Sequence, residues 1–131
     1  MATVVVDVGL PVLTNRIIQA GTAPKNIGWG TAAGTAAVAD TTLFTEKLVD
    51  LTTSAGTDHT VGTESRATTT KTNDTYRVTG TRMATGPGTV TNAGLFDAAS
   101  GGTLYLKGDF TGIGLSTNDA ITFQIDTKFV N

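Results

Sequence analysis

The chain holds one histidine, His59, in the run Thr57-Asp58-His59-Thr60. A serine-type triad needs an imidazole to take the nucleophile's proton, so any such triad here must pass through that residue. Its neighbours are polar, which reads as a solvated loop. Zinc sites draw two or more ligands from His and Cys, and the chain has no cysteine. Paired carboxylates are the next chemistry to seek. Asp97 and Asp109 lie on either side of a Gly-Gly hairpin signal, where two acids could flank a glycosidic bond. Asp97 reads more simply as a turn residue ending its strand, and Asp109 as solvated. The glycine-rich stretches do not cradle phosphate: Gly28-Trp29-Gly30 and the run to Gly34 lack the following Lys-Ser/Thr. Gly112-Ile113-Gly114 lacks the third glycine and the helix of a dinucleotide site. Trp29 between its two glycines is either a platform for stacking a sugar or a side chain packed beneath a loop. The expectation is a chain with no catalytic residue, no cofactor and no metal.

The elements that would hold these residues read as strands. Residues 103–110 alternate, with Leu104, Leu106 and Phe110 on one face and Thr103, Tyr105, Lys107 and Asp109 on the other. Residues 120–130 repeat the pattern, with Ile121, Phe123, Ile125 and Phe129 inward. Further strands are expected over 66–71, 75–84 and 89–97, with turns at Asn73-Asp74, Gly86-Pro87-Gly88 and Ser100-Gly101-Gly102. Residues 31–39 read as a loop, a short helical turn follows Asp40, and 52–63 reads as an exposed loop. Regular short strands of this kind predict an all-β fold, an antiparallel β-sandwich or jelly-roll-like barrel over residues 26–131.

Residues 1–25 have a different texture. The runs 3–8 and 12–20 carry adjacent apolar residues, Val4-Val5-Val6 and Ile17-Ile18, instead of alternation. They predict strands covered on both faces, or an extended arm lying on another subunit. Val4, Val5, Val6, Ile17, Ile18 and Trp29 are therefore the candidate interface residues.

Composition narrows the partners. Threonine makes up roughly a fifth of the chain, where Leu, Ala and Gly usually lead. It is β-branched and suits a pleated surface. Charged residues are 15%, against about 25% in typical domains. With a net charge of −2 and no Lys/Arg run, neither a nucleic-acid backbone nor an anionic membrane surface is an expected partner. The first residues lack the basic and apolar regions of a secretion signal, and no stretch reaches the ~18–20 apolar residues of a membrane span, so accumulation in the cytoplasm is expected.

Four segments in order carry a resemblance: NIGWGTAAGTAAVADTTL at 26–43, TNDTYRVTGT at 72–81, NAGLFDAASGGTLYLKGDF at 92–110 and LSTNDAITFQIDTKF at 115–129. Together they resemble a group of tailed-phage virion proteins labelled head decoration or cement proteins and tail-fibre or tail-collar proteins. The resemblance implies a structural protein on the capsid exterior of a virion. Its implied partners are the major capsid protein and further copies of itself, as a homotrimer. The alternative it leaves open is a tail-associated domain reading host-surface glycans. A chain of this size, with no fibre repeats, fits the decoration protein better. No catalytic residues carry over.

Overall fold

The computed structural model describes residues 2–53 and 55–129. Two antiparallel sheets face each other. The larger one has the path β1-β8-β7-β2-β3, with β4 also on β2; the smaller is β5-β6-β9. In chain order the strands are β1 Thr3–Val5, β2 Asn26–Gly30, β3 Glu46–Lys47, β4 Thr60–Val61, β5 Thr63–Ala67, β6 Thr75–Met83, β7 Gly88–Phe96, β8 Leu104–Leu115 and β9 Ala120–Lys128. The fold is an all-β sandwich whose sheets do not close into a barrel. The expected end of the last strand at Val130 lies outside the described residues.

Between the sheets lies the apolar core. Ile27, Trp29, Leu95 and Leu106 of the larger sheet meet Val78 and Phe123 of the smaller. Threonine and glycine make the strands; these few large side chains hold them together, each contributing about 1.5–3 kcal/mol on full burial. The β7–β8 hairpin slips register between Leu95 and Phe96. That slip turns Tyr105 into the core beside Leu106, while Phe96 and Leu104 point to the opposite face and pack with Val6 and Leu43.

The first 25 residues correct the sequence reading. Among the described ones only Thr3–Val5 is a strand, paired antiparallel to β8 from Gly108 to Leu106. A 3-10 turn over Asp7–Gly9 leads into helix α1, Leu10–Ile17, where strand had been expected. Pro11 sits in its first turn, where the missing N–H costs nothing and φ is already helical. Leu10, Leu13 and Ile17 follow helical spacing, and Val12 and Leu13 reach the core. The apolar doublet Ile17-Ile18 marks the end of a helix, not a doubly covered strand.

Two further expectations change. No helical turn follows Asp40; the chain there is irregular until β3. Residues 52–63 are not simply exposed, because β4 pairs with β2 and His59 is buried.

Candidate interaction surface

The outer face of the larger sheet is covered, which alternation alone did not reveal. Residues 31–46 cross it as a strap. Gly28, Gly30 and Gly94 point toward the strap, and two of them explain how closely it lies. A Cβ on Gly30 would stand 2.3 Å from the Phe44 carbonyl oxygen, and one on Gly28 would stand 3.3 Å from the Leu43 side chain and 2.9 Å from the His59 and Phe96 rings beside it. The Gly-Trp-Gly motif thus drives an indole into the core on one face and leaves the other flat for the strap.

Polar side chains fasten the strap. Asn92, fully buried, accepts from the Phe44 N–H (3.0 Å) and donates to the Phe44 carbonyl (3.1 Å). Lys107, on the face opposite Leu104 and Leu106, is 0% exposed. Its ammonium donates to Asp40 (2.9 Å) and to the Thr42 carbonyl (2.8 Å), with the Phe44 ring 3.1 Å away. Asp109 accepts from the N–H groups of Ala36 (2.7 Å) and Ala2 (3.3 Å). The Ala37 N–H and then Lys107 hold the Asp40 carboxyl below its ordinary 3.8, and the Ala36 N–H, then that of Ala2, do the same for Asp109.

His59 is likewise enclosed, contrary to its solvated reading. Its ring stacks on Phe96 at 3.9 Å. Nδ1 lies 2.8 Å from the Ala98 carbonyl, which can only accept, so Nδ1 donates; Nε2 lies 2.7 Å from the Glu46 carboxylate. Arg82, 2% exposed, donates to the carbonyls of Asp58 (2.7 Å), Ile27 (3.2 Å) and Lys47 (3.3 Å), and its guanidinium stands 5.0 Å from the Trp29 ring. Burial pushes Arg82 down to about 10, against the opposing pull of Glu46 and Asp58. His59 and the two terminal nitrogens of Arg82 join loops to strands; the buried Arg82 Nε has no hydrogen-bond partner.

The two carboxylates considered for hydrolysis are not brought together. Asp97 caps the hairpin by accepting from the Thr103 N–H (2.7 Å), whereas Asp109 stands opposite Asn92. Five residues of strand separate those register positions, about 16 Å. Among the described residues, no three His, Cys, Asp or Glu side chains gather as a metal site would. No described helix is long and apolar enough to cross a membrane.

The six candidate interface residues divide. Trp29 is fully buried, with its indole N–H donated to the Leu48 carbonyl (2.9 Å), so it presents no ring to a ligand; this corrects both its interface role and its role as a sugar platform. Val6 is also fully buried, and Val4 and Val5 are half-buried against the two core clusters. Only Ile17 and Ile18 face outward, at 75% and 67% exposure. They project from the end of a helix whose inner side is anchored in the core. Beside that helix lies a groove of about 280 Å³, lined by Leu13, Arg16, Pro24, Tyr76 and Phe129 among others. Burial, then the Glu64 charge, raises the Tyr76 hydroxyl far above its usual range, so it stays a neutral donor to the Pro24 carbonyl and Glu64.

No family model matches the chain. No curated protein matches it, and no solved structure does.

Proposed function

We propose that this chain is a structural protein of a tailed-phage virion, a small decoration or cement protein that binds the outside of the capsid between capsomers. Its partners on this reading are the major capsid protein and further copies of itself.

The observation that carries the reading is the Ile17-Ile18 pair. Two large aliphatic side chains held in solvent at the C-terminal end of α1 are an anchor for an apolar pocket on another protein. The resemblance supports the same reading; its segments fall on β2 with the strap, β6, the β7–β8 hairpin and β9. A decoration protein needs only a modest contact per copy, since a repetitive shell multiplies it. A low-charge, threonine-rich exterior suits that role by limiting the ions desolvated at each contact.

Glycan reading by a tail domain drew on Trp29 and nearby loops, and the burial of that ring takes Trp29 out of it. Mass spectrometry of separated heads and tails tests the proposal. The chain is expected in the head fraction at many copies per particle; recovery only with tails would refute it.

A further inference from the structure

The sheet edges of this molecule are not alike. β1 is three residues long and β3 two, while β5 is a five-residue strand carrying exposed Glu64 and Arg66. Shortness and charge are how proteins keep edges from pairing with other chains. β9 is not short, and its two charged side chains, Asp126 and Lys128, are held by Arg77 and Thr70. It runs nine residues at the end of the smaller sheet, paired with β6 in unbroken register from Thr75–Lys128 to Met83–Ala120.

The phase of that ladder is fixed at its ends. The Phe129 N–H donates to the Asp74 carbonyl (2.8 Å) and the Ala84 N–H to the Asp119 carbonyl (2.7 Å), both in the same register. Hydrogen-bonded pairs alternate along an antiparallel ladder, so Ile121, Phe123, Ile125 and Thr127 bond to β6. Thr122, Gln124 and Asp126 then direct their N–H and C=O groups to the open edge. Beside that edge the sandwich gapes in an apolar slot of about 290 Å³, lined by Ala93, Leu106, Phe110, Phe123 and Ile125 among others.

We propose that the open edge of β9 pairs antiparallel with β9 of a second copy, across a two-fold axis through Gln124. In the fully overlapped register Gln124 faces its own counterpart, Thr122 faces Asp126, and Ala120 faces Lys128. Phe123 faces Ile125, beside the two slots. No like charges meet. An axis at Asp126 would oppose two carboxylates, and one at Lys128 two ammoniums, each with shorter overlap. The axis at Gln124 alone overlaps all nine residues of the strand, and in that register the two three-stranded sheets become one. A contact built on one strand per copy lies at the small end of specific interfaces, so dimerisation falls in the micromolar range. This pairing is independent of capsid binding, and its two-fold symmetry differs from the three-fold expected by resemblance.

Sedimentation equilibrium of the whole chain across the micromolar range tests the proposal. A reversible monomer–dimer equilibrium is expected; a monomer throughout, or a trimer, overturns it. Gln124→Pro removes an N–H that points away from β6, and should raise the dissociation constant about tenfold or more. A folded Gln124→Pro chain that dimerises as well as the original overturns the assignment. Should proline unfold the chain, paired charges decide. Gln124→Lys and Gln124→Glu should each weaken self-association, and an equimolar mixture should restore it; a mixture no better than either variant alone overturns the register. Hydrogen exchange adds a residue-level readout. The amides of Thr122, Gln124 and Asp126 should gain protection as concentration rises, and a dimer that leaves them unprotected is built elsewhere.

Discussion

The two faces of the larger sheet are both covered, but by different physics. Its inner face meets the smaller sheet through Ile27, Trp29, Leu95 and Leu106, side chains with few polar atoms to satisfy. Its outer face meets the strap through Asn92, Lys107 and Asp109, each matched to specific acceptors or donors. Apolar burial supplies free energy without direction; buried polar groups supply direction, because a misplaced partner leaves a desolvated group unpaired. The first face makes the body stable. The second sets one path for residues 31–46, and with them the surface that neighbouring proteins would meet.

The contrast can be broken most severely from inside. Trp29→Ala should cost about 3–5 kcal/mol, since it opens a large cavity and frees the Leu48 carbonyl and the Arg82 guanidinium from the indole. Chemical denaturation should then show a much lower midpoint with little change in slope. A loss below about 1 kcal/mol would mean that the inner face is not the main source of stability.

A smaller effect is expected outside. Lys107→Met keeps the aliphatic stem and removes the ammonium, leaving the Thr42 carbonyl without its side-chain donor and Asp40 with the Ala37 N–H alone. The cost should be about 1–3 kcal/mol. Its signature is local: amide exchange should quicken over residues 36–44 more than in β7 and β8. Uniform acceleration through both sheets would erase the distinction between the faces.

Acid should sharpen the same comparison most gently. Asp40 and Asp109 have folded values below the ordinary 3.8, so their contribution is fully present above that pH and is lost as pH falls through the lower, folded values. Below pH 3.8 strap amides near Ala36 and Ala37 should lose protection before the core strands do. Simultaneous loss would show strap and core to be one cooperative unit.

How far the sequence revealed this arrangement follows from the same physics. Period-two alternation marked β8 and β9 because it records which side chains share a face. It does not record what lies over that face. Tyr105 and Lys107 therefore read only as sharing the face opposite Leu104 and Leu106, whereas the register slip carries Tyr105 into the core and the strap buries Lys107. The signal that could have exposed the strap was the glycine row at 28, 30 and 94, since a strand position without a side chain often admits another segment of backbone. In α1, Pro11 and the spacing of Leu10, Leu13 and Ile17 were legible, but adjacent β-branched residues outweighed them. Ile17 and Ile18 were still found as candidate contacts, because an apolar doublet is conspicuous in either secondary structure.

The central claim is that the rigid β-body presents the Ile17-Ile18 pair to a capsid. Its most direct test is co-sedimentation of purified heads with the intact chain and with an Ile17→Asp, Ile18→Asp double variant. At 75% and 67% exposure, neither substitution should shift stability by more than about 0.5 kcal/mol. The account predicts saturable binding at many copies per head for the intact chain, and loss of most of that binding in an equally stable variant. Undiminished binding by the variant, or no binding by the intact chain, would contradict it.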